Sequence, residues 1–251
     1  MKKILALLMA VVMCFALASC GQKKDGVDFV IATDKGFSPF EFQDADGKIV
    51  GIDMEILEAV AKDQGFTYEL QYIGWDAAIA ACQAGQADGM IAGASITEER
   101  KKTGWIFSEG YFDATQGMAV AKDSTIAGFK DLKGKKVAVK NGTMSNEWAD
   151  KIKGEYGFEV VTFQTSDDMY QAVIGGQVQA CLDDTPVLKY KIKAGDLDMK
   201  FVDGTENEPA QYGLAIFDSA NQELVDKFNK GLANIKANGT YDKIIAKYLG
   251  N

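Results

Sequence analysis

The feature that most constrains this chain is an internal echo. Gly65-Phe66-Thr67-Tyr68-Glu69-Leu70 returns 92 residues later as Gly157-Phe158-Glu159-Val160-Val161-Thr162. Ala84-Gly85-Gln86-Ala87-Asp88-Gly89-Met90-Ile91 returns 91 residues later as Gly175-Gly176-Gln177-Val178-Gln179-Ala180-Cys181-Leu182. Two echoes at nearly one spacing predict an α/β chain with two lobes of similar build. Each lobe reads strand, helix, strand, helix, strand. The first uses strands at 29–32, 66–72 and 90–92, with helices marked by Ile52, Ile56 and Val60 and by 75–84. The second uses 137–139, 160–163 and 180–182, with helices at 145–153 and 168–174. Alternation of this kind predicts parallel sheets covered on both faces. Asp53 is expected to cap the first helix, with Glu55 at its positive end. After Gln211 the pattern predicts a strand at 212–217, then a helix with Leu224, Val225, Phe228, Leu232 and Ile235 on one side. Asn238-Gly239 ends that helix, and Thr240 opens a short last one. These elements have no counterpart in the first half, so the tail is expected to pack onto one lobe.

The first residues read as targeting rather than fold. Lys2 and Lys3 precede an apolar run from Ile4 to Ala18, too short to span a bilayer comfortably. Leu17-Ala18-Ser19-Cys20 resembles a bacterial lipobox. It implies a signal peptide over 1–19, lipidation of the Cys20 sulfur and a polar tether over 20–26. The expected location is the extracytoplasmic face of the cell membrane, in a periplasm or on a cell surface. Cys14 leaves with the signal. Cys82 and Cys181 have no CxxC partner or metal-ligand spacing and are expected to be buried small apolar residues.

Charge and composition remove several function classes. Lys and Arg total 27 against 36 Asp and Glu, a formal net charge of −9, and no basic run is present, which argues against a nucleic-acid partner. The chain has no histidine, which excludes Ser-His-Asp and Cys-His catalysis and His-ligated metal sites. No cofactor loop or metal set is found, so cofactors, metals and catalytic residues are all expected to be absent. Among the basic residues a single arginine, Arg100, stands out. A lysine-using chain keeps one guanidinium where a planar two-pronged donor is required.

Ligands of open parallel sheets bind beyond the carboxyl ends of the strands. That edge carries Asp34 and Phe37 after the first strand, and Ala92 at the end of the third with Gly93, Ser95 and Arg100 after it. From the second lobe it carries Lys140, Thr143 and Met144, and then Asp183 and Asp184. A helix opening at 143–145 turns free N–H groups toward an anion, and Arg100 adds a bidentate clamp for a carboxylate. Asp184 offers the opposite charge, so the set matches a free α-amino acid, with Phe37 and Trp75 sandwiching its side chain. Taken singly, Asp34 and Asp184 also read as turn or cap residues, Phe37 and Trp75 as core aromatics, and Arg100 and Lys140 as solvated surface.

The sequence here resembles the amino-acid-binding proteins that serve ABC importers, with the type II periplasmic-binding fold. The resemblance rests on Gly51-Ile52-Asp53-Met54-Glu55-Ile56, on Ser95-Ile96-Thr97-Glu98-Glu99-Arg100, on Gly134-Lys135-Lys136-Val137-Ala138-Val139 and on Asn238-Gly239-Thr240-Tyr241. It runs from about residue 27 to 249 and is nearest to glutamine-binding proteins. It implies that Arg100 and the N–H near Met144 hold the ligand carboxylate. Asp184, the Ser95 hydroxyl and the Gly93 carbonyl would hold the ammonium, and Asp34 with Lys140 would grip a side-chain amide. Asp183 departs from the histidine that such binders tend to carry and pulls toward a cationic ligand such as arginine. The resemblance further implies hinged closure of lobe 1 (27–115 and 213–251) on lobe 2 (116–212), no enzymatic activity, a monomer, and an ABC permease as partner. The alternatives are a dehydratase on the same fold, with Asp183 or Glu147 as proton donor, and a sensing module of a receptor.

Overall fold

The computed structural model describes residues 26–250. In chain order the first part holds β1 (Phe29–Thr33), β2 (Phe42–Gln43), β3 (Ile49–Val50), α1 (Ile52–Gln64), β4 (Tyr68–Tyr72) and α2 (Trp75–Gln83). Then come β5 (Gly89–Met90), α3 (Glu98–Lys102), β6 (Ile106–Phe107) and β7 (Phe112–Ala114). The middle part holds β8 (Gln116–Ala121), β9 (Lys136–Lys140), α4 (Met144–Tyr156), β10 (Glu159–Phe163), α5 (Ser166–Ile174), β11 (Ala180–Asp184), α6 (Thr185–Ala194) and β12 (Met199–Val202). The chain ends with β13 (Ala210–Tyr212), β14 (Ala215–Ile216), α7 (Gln222–Ala237) and α8 (Thr240–Leu249).

The two echoes correspond to two five-stranded sheets of equivalent order, β4-β1-β5-β14-β6 and β10-β9-β11-β8-β12. In each, the first three strands run parallel, as the alternating pattern predicts. The fourth strand of each, β14 and β8, is reversed and pairs antiparallel with both of its neighbours. The sheets are therefore mixed rather than wholly parallel. β8 and β14, which run against their neighbours β11 and β5, reach their sheets along the connections between the lobes, whereas β6 and β12 follow the helices α3 and α6.

Both faces of each sheet are covered. Along β1, Phe29 and Ile31 enter one apolar cluster with α1 and α7, while Val30 and Ala32 enter another with α2, the period-2 alternation of a strand. Along β9, Val137 and Val139 face one cluster and Ala138 the other. Leu224, Val225, Phe228, Leu232 and Ile235 of α7 are all buried with α1, so the tail packs on the first lobe. Cys82 and Cys181 are free and buried, and burial pushes the Cys82 thiol up to about 12.

Two local expectations are corrected. The strand expected at 212–217 is two strands. β13 pairs with β7 as a two-stranded link between the lobes, and β14 inserts between β5 and β6. Gly213 lies at the break, where a Cβ would stand 3.0 Å from Ile96 Cδ1. Asp53 does not cap α1. The N-cap is Gly51, and the Asp53 carboxylate turns inward to accept from the backbone N–H of Gly93 at 2.8 Å. An acidic side chain two residues into a helix is free to leave the helix end when a buried donor is within reach.

The expected signal peptide, Cys20 and all but the last residue of the expected tether lie outside the described residues. Among the described residues, no helix is long and apolar enough to cross a membrane.

Candidate functional site

The carboxyl ends of β1, β5, β9 and β11 converge on one narrow cavity between the two sheets. It is lined by Asp34, Phe37, Trp75, Ala92, Gly93, Ser95, Arg100, Lys140, Thr143, Met144, Asp183 and Asp184. The eleven residues expected at the strand ends, and Trp75 with them, are thus brought together.

Arg100 sits in the one-turn helix α3, whose N-cap Thr97 accepts from the Arg100 N–H at 3.1 Å. Its guanidinium is buried against the neighbouring rings of Trp75 and Trp105, at 5.3 and 5.1 Å. Nη1 donates to the Ser95 carbonyl at 3.0 Å and Nη2 to the Gly142 carbonyl at 3.5 Å, while Nε lies 3.5 Å from Glu147 Oε1. These contacts use three of five N–H donors, leaving two for a ligand carboxylate. Burial lowers the Arg100 pKa, and the charges of Glu147 and Asp184 oppose that shift.

Opposite Arg100, α4 opens at the cavity. Its N-cap Thr143 accepts from the Asn146 N–H at 3.3 Å and donates its own hydroxyl to the Lys140 carbonyl at 2.8 Å. The N–H groups of Met144 and Ser145 fall in the first turn, ahead of intrahelical bonding, where an anion is favoured.

Asp183 and Asp184 end β11. Asp184 accepts from Gln116 Nε2 at 2.7 Å and from the Tyr212 hydroxyl. Asp183 accepts from the Tyr170 hydroxyl at 2.5 Å and from the Asp184 N–H at 2.9 Å. Burial raises both carboxyls above the usual carboxylate range, and the charge of Asp183 adds to the rise at Asp184. A cation entering beside Asp184 would relieve that burial, since a carboxylate with two donors still has lone pairs to offer.

At the other end of the cavity Lys140, from the second lobe, forms an ion pair with Asp34 of the first. Both are buried, and the ammonium lies 5.9 Å from the Phe37 ring centre. Lys140 therefore faces Asp34, not Asp183. Gly93 sits at φ +54, and a Cβ there would stand 2.7 Å from Phe37 Cε1, so glycine is required on both conformational and steric grounds.

Several partners were not among the expected site residues. Trp105, Gln116, Tyr170 and Tyr212 orient the predicted groups from elsewhere in the chain. Glu147, which the sequence offers only as a proton donor of the dehydratase alternative, pairs with Arg100. Neither it nor Asp183, held by the Tyr170 hydroxyl and a backbone N–H, is an unengaged acid. Among the described residues no group of His, Cys, Asp or Glu is arranged to hold a metal ion.

Residues 29–251 match the model of the bacterial extracellular solute-binding proteins, family 3. The arginine-binding extracellular protein ArtP of Bacillus subtilis is 33% identical, covering 99% of this chain and 98% of its own. An ancestral arginine-binding protein, solved with arginine and again with glutamine, is 38% identical with a TM-score of 0.80 in both cases. The arginine complex covers 88% of this chain and 98% of that one. Substrate-binding domain 2 of Lactococcus lactis GlnP, in an open conformation, is 41% identical with a TM-score of 0.62, covering 92% and 98%. The more identical chain superposes less well, as expected if the lobes here are closed on each other and that domain is open.

Proposed function

The chain belongs to the bacterial extracellular solute-binding proteins, family 3, and from that membership we propose that it is the extracytoplasmic binding component of an ABC importer for a free polar amino acid. The observation that carries this reading is the polarity of one closed cavity. Arg100 and the α4 N-terminus make an anion end, Asp184 makes a cation end, and the buried Asp34–Lys140 pair faces the remaining space.

Glutamine is the side chain that fits best. Its amide NH₂ donates to Asp34 and its oxygen accepts from Lys140, so a neutral group satisfies both. A cationic side chain would meet the Lys140 ammonium. Arginine is the second reading, favoured by the three acids of the lining, Asp34, Asp183 and Asp184, and by the arginine-binding relatives.

The mechanism is closure of lobe 1 (27–115 and 213–251) on lobe 2 (116–212) about the paired strands β7 and β13. Arg100 belongs to one lobe and Asp184 to the other, so one ligand held at both ends bridges the lobes. It favours the closed state by its differential affinity for that state. The permease would then recognise the closed form. Lipid at Cys20 would hold the protein at the membrane, as a monomer.

The test is a thermal-shift panel of the common amino acids on the unlipidated protein. Binding to the native state alone raises stability by RT ln(1 + [L]/Kd), about 2.7 kcal/mol at a hundredfold excess over Kd. Saturable stabilisation by glutamine without turnover is expected. Stabilisation by arginine above all others selects the second reading, and turnover of any amino acid overturns the binding role.

A further inference from the structure

Behind the cavity wall, three carboxylate oxygens are buried with no hydrogen-bond donor among the described residues: both of Glu41, and Oδ1 of Asp53. Neither residue has any surface exposed. The other Asp53 oxygen, Oδ2, accepts from the Gly93 N–H at 2.8 Å and from the Tyr111 hydroxyl at 2.8 Å. The Glu41 and Asp53 carboxyls are hydrogen-bond neighbours. Two ionised carboxylates in that position would repel each other in a water-excluded interior, with their facing oxygens unsatisfied.

We propose that Glu41 carries a proton and donates it to Oδ1 of Asp53, so that the two carboxyls act as one anion that positions Gly93 at the ligand cavity. The placement of the proton follows from the donors. Asp53 receives two of them and is the group stabilised as an anion. Glu41 receives none and gains a bond by becoming a donor. The ionisable groups facing Glu41 are Asp53 from α1, Asp34 after β1, Lys140 from the opposite lobe, Tyr72 of β4 and Tyr111 before β7. Burial raises Glu41 well above the usual carboxylate range; Asp53 and Asp34 add to this and Lys140 opposes it.

The backbone of Glu41 performs the second half of the task. Its carbonyl accepts from the Phe37 N–H at 2.8 Å, and its N–H donates to the Phe37 carbonyl at 3.3 Å, closing the turn that carries Phe37. Phe37 and Gly93 stand against each other in the cavity wall. Glu41 therefore ties both together, Phe37 through the main chain and Gly93 through Asp53. It touches no ligand and is a positioning residue. The ligand half of this inference rests on the amino-acid-binding reading; the proton does not.

Infrared difference spectroscopy of the unliganded protein at neutral pH tests the proton directly. A carbonyl stretch of a protonated carboxylic acid is expected in the wild type and lost in Glu41→Gln. Glu41→Gln keeps an N–H donor toward Asp53 and is expected to hold the affinity for the best amino acid of the thermal-shift panel within a few-fold. Glu41→Leu has similar volume and no donor, and is expected to lose roughly tenfold or more. A wild-type-minus-Glu41→Gln difference spectrum without that band, in which the buried Asp183 and Asp184 cancel, or equal affinities for the Gln and Leu variants would each overturn the proposal. The infrared arm needs no ligand, so it stands or fails apart from the assignment of function. It also decides the matter if Glu41→Leu does not fold.

Discussion

Lys140 and Asp34 meet across the cleft as an ion pair, one from each lobe, with 4% and 5% of their side-chain surfaces exposed. Removing one member of a buried pair strands the other and costs about 3–5 kcal/mol. Lys140→Leu is therefore expected to weaken glutamine and to improve arginine, whose guanidinium would replace the missing cation beside Asp34. Parallel calorimetric titrations with the two amino acids check it. A variant in which arginine gains nothing relative to glutamine takes Lys140 out of the side-chain end.

Arg100→Lys removes more than a ligand contact. The guanidinium also reaches the Ser95 carbonyl, the Gly142 carbonyl and Glu147, three directions that one ammonium cannot serve together. Charge-assisted bonds are worth about 1.5–3 kcal/mol each, so affinity is expected to fall at least about tenfold. Unchanged calorimetry would remove Arg100 from the carboxylate end.

Gly93→Ala combines two penalties. At φ +54 a left-handed non-glycine residue costs roughly 1–2 kcal/mol, and its Cβ would lie 2.7 Å from Phe37 Cε1. Denaturant unfolding is expected to show a loss above that strain alone. Adding Phe37→Leu should return the steric part and leave the conformational part. If the double variant is no more stable than the single one, the steric account is wrong.

Stability should depend on pH through the buried acids. Burial raises Asp53 from 3.8 to about 6, against the donors Gly93 and Tyr111. The folded protein thus binds this proton more tightly than the unfolded chain. The stability it contributes is complete below about 3.8 and is lost as pH rises through about 6. Glu41, Asp183 and Asp184 shift in the same direction. Exposed Asp63 and Glu98 are shifted down, and their contributions are lost only at more acid pH. The thermal midpoint is expected to be higher at about pH 5 than at about pH 7.5. A midpoint that rises steadily over that interval would contradict these shifts.

Cys20→Ser separates anchoring from binding. The variant is expected to be released from membranes while its amino-acid affinity is unchanged. Retention on membranes after a high-salt wash would end the lipobox reading.

The site was legible in the sequence because strand ends are. Once the two βαβαβ patterns are placed, each stretch of polar residues following an apolar strand must lie on one edge, and Asp34, Arg100, Lys140 and Asp184 fall there by register alone. What hides from such reading is the partner that arrives from another element. Tyr212 approaches Asp184 from the link between the lobes, and Trp105 flanks Arg100 from the connection to β6. Asp53 fits both a helix cap and a buried acceptor, and only the position of the Gly93 N–H decides between them. The acidic Glu41, set between Phe40 and Phe42, is a local sign that a carboxyl is carried into the core. The short antiparallel strands β6, β12 and β14 carry too few residues for a period to show.

The place of β14 has a consequence for how the chain assembles. It lies inside the first sheet, between β5 and β6, yet it is encoded after every strand of the second. As residues emerge from the N-terminus onward, the second sheet completes itself from one uninterrupted stretch, β8 to β12. The first sheet must meanwhile wait with an open seam until Ala215 and Ile216 arrive. A chain stopped before Leu214 is expected to show slow amide exchange in β9 and β11 but not in β5, so the younger half of the sequence would mature first and the older half would be sealed last.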